Sequence, residues 1–218
     1  LDQIEYAERV DGRIRVLVGI ADVDACVHPA SPIDEHASSQ TTSVYTGVRT
    51  FPMLPEELST DLTSLNEDGD RRAVVMEFLV SSDGTCDSTK IYSALVRNKA
   101  QLTYTAVGKW LEGAAPAPNK VAASSELEQQ LRLQDEAAQA LRENRHRMGA
   151  LEFDRVETEP VLTNGHVTGV RIQRKTRASS LIEDFMVAAN EVMARTLRNA
   201  GVSTIRRVVR TPERWPRI

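Results

Sequence analysis

Four short stretches of this sequence carry side chains able to handle a phosphate or a cation. Asp2-Gln3-Ile4-Glu5 offers carboxylate and amide oxygens, the hard donors that magnesium prefers. In an extended chain Asp2 and Ile4 share one face, and Gln3 and Glu5 the other. Taken alone, a solvated strand end also accounts for this group. Arg145 and Arg147 stand near the end of a long helical run. A guanidinium presents a planar fork of donors to an anion, and the same charges are favoured at a helix C-terminus by the backbone dipole. Glu183 and Asp184 form an acidic pair within Leu181-Ile182-Glu183-Asp184-Phe185-Met186. Ser180 and Glu183 have the spacing of a capping box, which gives Glu183 a structural reading and leaves Asp184 for a functional face. The chain has only 4 Phe, 4 Tyr and 2 Trp, so Tyr45 and Tyr104 stand out. A tyrosine ring stacks on a base or lies in the core with its hydroxyl satisfied, and both readings stand for each.

The elements that position these residues are legible in outline. Ile14 to Val23 is β-branched and almost continuously apolar, as in a buried central strand. Gly12 marks a hairpin turn from an opening strand near Ile4–Glu8. Arg72 to Ser81 and Ser88 to Arg97 pair next, turned at Asp83-Gly84. A short helix fits Pro32–Gln40, and helical spacing runs from Leu102 to Leu111. Ser124 to Arg147 is a long helix with Leu127, Leu131, Ala138 and Leu141 on one face and Gly149 as its stop. Ala150 to Glu157 and Val167 to Arg174 read as a second hairpin, turned by Asn164-Gly165. The capping box at Ser180 opens a last helix to Asn199, closed by Gly201, with Leu181, Phe185, Ala189, Val192 and Leu197 as its buried stripe. Strands come first, then a long helix, a hairpin and another helix. That order predicts an α+β fold, a mixed and largely antiparallel sheet packed with helices, in one domain over residues 1–218.

Residues 41–71 are neither a good helix nor a good strand, because Pro52 and Pro55 each remove a donor and fix φ. A long ordered loop tied down by apolar residues is usually functional. Phe51-Pro52-Met53-Leu54-Pro55, then Leu58-Ser59, Leu62, Ser64-Leu65-Asn66 and Arg71, closely resemble the signature of the ribonuclease II family catalytic (RNB) domain. Gly19-Ile20-Ala21-Asp22-Val23, Tyr104, Gly149-Ala150-Leu151 and the helix at 180–199, with Asn190, extend the resemblance over nearly the whole chain. Residues 113–140 are generic, and Asp22 reads as structural.

RNB domains carry an aspartate cluster of the form D-x5-D-x-D-D before the strand equivalent to Ile14–Val23. Leu1-Asp2-Gln3 resembles its last three positions, which makes Asp2 the third aspartate and puts Gln3 at the fourth position. The resemblance implies a 3′→5′ exoribonuclease that hydrolyses single-stranded RNA processively to nucleoside 5′-monophosphates. It implies magnesium, or manganese, as cofactor, with Asp2 and Gln3 as metal ligands, since phosphodiester hydrolysis uses two cations about 4 Å apart. Asp2, Arg145 and Asp184 form the implied catalytic group, with Arg145 on the scissile phosphate and an acidic residue near the RNA 3′ end. Tyr45, Tyr104, Arg147 and Glu183 are the implied RNA contacts. Gln3 departs from the common pattern, because an amide oxygen carries no charge. That departure motivates the alternative, a catalytically weakened RNB scaffold that binds RNA or regulates.

Composition bounds these readings. Hydrophobic residues make up 41% and charged residues 27%, as in ordinary globular proteins. No apolar run is long enough to span a membrane. The chain opens in mid-pattern without Met or a signal peptide and reads as an internal piece of a longer protein; the resemblance puts the first two aspartates upstream of Leu1, and no OB-type module is recognisable within the chain. Cys26 and Cys86 match no metal-site spacing and read as reduced thiols of a cytoplasmic protein. His28, His36, His146 and His166 are dispersed, which argues against zinc. A net charge of −4 alone argues against nucleic acid, yet residues 169–218 hold 11 Lys/Arg against 4 Asp/Glu, and the remainder 16 against 27. An acidic body with a basic final quarter suits cations in one place and phosphates in another; a solvated helix face with a basic tail gives the same count. No protein partner is predictable.

Overall fold

A computed structural model describes residues 1–151 and 157–205. In chain order the elements are β1 (Gln3–Val10), β2 (Arg13–Ala21), α1 (Pro32–Gln40), β3 (Val44–Tyr45), β4 (Thr50–Phe51), β5 (Asp70–Val80), β6 (Cys86–Arg97), α2 (Tyr104–Leu111), α3 (Asn119–Ala122), α4 (Ser125–Arg147), β7 (Glu157–Thr163), β8 (His166–Gln173) and α5 (Arg177–Asn199). The fold is α+β, as the order of patterns predicts.

The main sheet has four strands in the order β1-β2-β5-β6, all antiparallel. Asp11 and Gly12 turn the first hairpin, both at positive φ (49° and 78°), the turn type whose twist matches paired strands. Alternation puts Ala7, Ile14, Val16, Val18, Met76, Phe78 and Val80 on one buried face. Cross-strand register stacks Ile14 on Val80, Val16 on Phe78 and Val18 on Met76. Onto this face pack Ala137, Ala138 and Leu141 of α4 with Leu181, Phe185, Ala188, Ala189 and Val192 of α5. The turn between β5 and β6 lies against α4. A Cβ on Gly84 would fall 1.9 Å from the Ala140 carbonyl oxygen, so only glycine fits there.

The other sheet face is mixed: Leu17, Val75 and Leu79 share it with a polar cluster. Arg15 pairs with Glu8 at 2.6 Å and with Glu77 at 3.2 Å, and the Tyr92 hydroxyl donates to Glu77 at 3.1 Å. A smaller apolar cluster joins Val107 and Trp110 of α2, Val121 of α3 and Ala178 of α5, with Leu127 and Leu131 packed against it. The apolar face predicted for α4 therefore serves two clusters, its first turns one and its last turns the other.

Four local expectations differ from the structure. The last helix starts at Arg177, not after Ser180. Its N-cap is Thr176, whose side chain accepts from the Ser179 N–H while the Ser179 hydroxyl bonds back to the Thr176 N–H. That pair satisfies the end one turn earlier and leaves Ser180 buried inside the helix. Leu197, predicted in its stripe, is only half-buried. The second hairpin turns at Asn164-Gly165 as predicted, but its first strand runs Glu157–Thr163; residues 152–156 of the predicted strand lie outside the described residues. Within 41–71, β3 and β4 form a small ribbon, and a π-helical turn spans Leu58–Leu62.

Candidate functional site

The backbone around Asp2 is held from two sides. The Ala21 N–H donates to the Asp2 carbonyl at 2.9 Å, extending the β1–β2 ladder by one residue. The Leu65 N–H donates to the Leu1 carbonyl at 2.7 Å. Leu65 is fully buried and its own carbonyl accepts from the Asn98 side chain at 2.9 Å. Ser64 donates to Asn66 Oδ1 at 3.0 Å. Ser64-Leu65-Asn66, part of the signature in residues 41–71, is thus the buttress of the Asp2 segment. The Asp2 side chain is exposed, and its carboxylate accepts no hydrogen bond from the described residues.

Gln3 and Glu5 share a face of β1, as alternation requires. Gln3 Nε2 donates to Glu5 Oε1 at 2.7 Å and to the Ile182 carbonyl of α5 at 3.4 Å. Burial pushes the Glu5 carboxyl up to about 7 against the pull of the Gln3 hydrogen bond, with the Asp2 charge adding to the rise. Tyr104 lies in the same field: burial raises its hydroxyl pKa, followed by the charges of Glu5 and Asp2. It opens α2 and is 52% exposed, which excludes the core reading. The Tyr104 carbonyl accepts from Thr176 Oγ1 at 3.4 Å, which ties α2 to the start of α5. Gln3, Glu5 and Tyr104 therefore converge beside the first turns of α5, with the Asp2 charge near enough to act on Glu5 and Tyr104.

Arg145 of α4 and Asp184 of α5 form a second group. Arg145 donates to Asp184 Oδ1, and Arg142 donates to Oδ2 at 2.5 and 3.0 Å. Residues three apart on α4 face one way, so both arginines reach one carboxylate. The sequence assigns Asp184 to a functional face; the structure instead leaves it 1% exposed, a buried counter-ion that positions two guanidinium groups. The Nη1 of Arg145 is buried and makes no hydrogen bond among the described residues, while the side chain as a whole is 29% exposed.

The remaining predicted residues are placed differently. Arg147, two residues beyond Arg145, cannot share its face; it donates to the Asp83 carbonyl and to Asn144 Oδ1 at 3.2 Å, so it holds the β5–β6 turn. Glu183 is not a capping-box partner but an ion pair with Lys175 at 2.6 Å, half-exposed. Tyr45 lies on β3 and is 77% exposed, so it too is no core tyrosine. No hydrogen bond or ion pair among the described residues joins Tyr45 or Arg147 to Asp2, Gln3 or Arg145. One contributor, Arg142, is signalled in the sequence only by its three-residue spacing from Arg145, and Glu5 lies in the first candidate stretch without a role of its own.

Asp2 and Gln3 fit a hard divalent cation. Each offers an oxygen that accepts no hydrogen bond from the described residues, and magnesium takes one or two carboxylates while keeping several waters. No group of three or more His, Cys, Asp or Glu able to hold a metal occurs among the described residues, so water, phosphate or further ligands must complete the sphere.

Comparison with known proteins gives a consistent result. The RNB domain profile matches residues 1–216. Ribonuclease R of Vibrio parahaemolyticus is 32% identical over 212 residues, covering 97% of this chain and 25% of that protein. Exoribonuclease 2 of Salmonella newport is 32% identical over 202 residues, covering 91% and 31%. Among solved structures, Mycoplasma genitalium RNase R in complex with double-stranded RNA superposes with a TM-score of 0.86 at 29% identity, covering 93% of this chain and 35% of that one. The same protein with ribose methylated single-stranded RNA gives a TM-score of 0.85 at 30% identity, covering 92% and 31%. The chain thus spans about a quarter to a third of the length of these relatives. No described helix is long and apolar enough to cross a membrane.

Proposed function

The chain belongs to the RNB domain family, and from that premise we propose that it is the hydrolytic domain of a 3′→5′ exoribonuclease acting in the cytoplasm. Its substrate is single-stranded RNA, degraded processively to nucleoside 5′-monophosphates. The observation that carries this reading is the pair of open oxygens on Asp2 and Gln3, set beside Tyr104 and the start of α5. They would hold a divalent ion, magnesium or manganese. In two-metal hydrolysis such ions activate a water and neutralise the leaving oxygen. The chain's own residues do the rest. Arg145, held by Asp184, offers its partly exposed guanidinium to the scissile phosphate and balances the charge that builds there. Tyr104 stacks on the terminal nucleotide, and Tyr45 supports the strand further out. Arg147 and Glu183 take structural parts.

Gln3 favours a second reading, an RNB scaffold that binds RNA with little turnover, because an amide oxygen holds a cation less strongly than a carboxylate. One experiment separates them. Full-length protein is incubated with 5′-labelled single-stranded RNA, with and without magnesium. Magnesium-dependent shortening from the 3′ end is expected, and an Asp2→Asn variant should bind the RNA without shortening it. Binding without degradation by the native protein would favour the second reading, and unchanged degradation by Asp2→Asn would remove Asp2 from the mechanism.

A further inference from the structure

We infer that Glu5 is a positioning residue that fixes the Gln3 amide with its carbonyl oxygen available to the cation. This rests on the reading of Asp2 and Gln3 as cation ligands.

A carboxylate at position 3 would need no such help, since both of its oxygens are acceptors. An amide has one acceptor and one two-proton donor. Turned the wrong way, it presents N–H groups to a cation and repels it. A glutamine that serves a cation therefore needs a neighbour that decides its rotation. Gln3 has two. Its Nε2 donates to Glu5 Oε1 at 2.7 Å and to the Ile182 carbonyl at 3.4 Å. With both N–H groups engaged, Oε1 is the group left over, and it accepts no hydrogen bond from the described residues. Rotating the amide would set that oxygen against the Glu5 carboxylate and the Ile182 carbonyl and leave the N–H groups unpaired. Glu5 is itself held. It sits opposite Val18 in the β1–β2 register, and its carbonyl accepts from Gln134 Nε2 at 3.3 Å.

The test uses full-length protein without RNA. Mn2+ is titrated by electron paramagnetic resonance. Glu5→Leu is expected to weaken binding about tenfold, the usual scale for a group that orients a ligand. Glu5→Gln keeps an acceptor oxygen and should bind within about twofold of the native protein. Adding Gln3→Asp to Glu5→Leu should restore binding, because a carboxylate needs no orientation. A Glu5→Leu protein that binds Mn2+ normally, or a loss that Gln3→Asp does not repair, overturns the proposal. The Gln3 side-chain NH2 resonances report orientation without any cation. They should be protected from exchange in the native protein and in Glu5→Gln, and exposed in Glu5→Leu; equal protection in Glu5→Leu also overturns it. Native protein that binds no Mn2+ would instead sink the cation reading of Asp2 and Gln3, with the amide resonances still deciding whether Glu5 holds Gln3.

Discussion

Asp184 shows how one buried carboxylate can set the charge of a site. It is flanked by Arg142 and Arg145, whose side chains are 26% and 29% exposed. One negative charge against two positive ones leaves the group cationic, suited to an anion. Removing one partner of a buried pair costs about 3–5 kcal/mol, and partial exposure of the arginines lowers that here to about 2–3 kcal/mol. Asp184→Asn should therefore unfold at lower urea, with a loss of about 2–3 kcal/mol in an equilibrium titration. Arg145→Lys separates position from charge. It keeps the cation but loses the fork that binds Asp184 and a phosphate together, so kcat on single-stranded RNA should fall about 10²-fold while the melting temperature stays near native. Equal activity in Arg145→Lys would exclude the guanidinium from phosphate contact.

Among the elements, the segment after the π-helical turn matters most for the site. Leu65 packs inside while its N–H holds the Leu1 carbonyl at 2.7 Å, so its side chain anchors and its backbone positions. Leu65→Ala should cost about 2–5 kcal/mol. At a temperature where the variant is still fully folded, its turnover should also fall, because the Asp2 backbone loses its buttress; unchanged turnover would confine Leu65 to packing. The polar cluster on the second sheet face gives a prediction in pH. Burial works to raise the Glu77 carboxyl, but the Tyr92 hydrogen bond and the charge and hydrogen bond of Arg15 outweigh it and hold the group below the ordinary 4.5. The folded state thus releases this proton more readily than the unfolded one. The stabilisation is full above about pH 4.5 and is lost as pH falls through the folded value. Melting temperature against pH should fall less steeply on the acid side for Glu77→Gln than for native protein.

At the scale of the whole molecule, the uneven charge predicts how RNA affinity responds to salt. The chain is net negative, yet Arg206, Arg207 and Arg210 follow α5 closely in sequence. If they neutralise phosphates, replacing all three with Gln should lower the slope of log affinity against log salt by about 2, at roughly 0.7 per contact on a single strand. An unchanged slope would assign the basic quarter to solvent.

Much of the architecture was readable because its causes are local. Two-residue turns such as Asp83-Gly84 and Asn164-Gly165, β-branched runs and helix stops act over a few residues, and the strands, long helices and turns fell where those signals lie. The last helix began a turn early because Thr176 and Ser179 form a reciprocal cap as good as the one read at Ser180, and only packing of Ala178 and Ser180 chooses between them. By itself the sequence determined the family, the α+β plan and the nomination of Asp2, Gln3, Arg145 and Tyr104, since motif order and spacing survive without coordinates. Tertiary structure alone decided what each residue does with its neighbours. It turned Asp184 inward between two arginines, drew Arg147 to the Asp83 carbonyl, set residues 64–66 behind Asp2 and placed Glu5 on the Gln3 amide. Apart from the Gln3–Glu5 pair, these are contacts between groups 39 to 64 residues apart, fixed by how sheet and helices pack, and no local pattern encodes them.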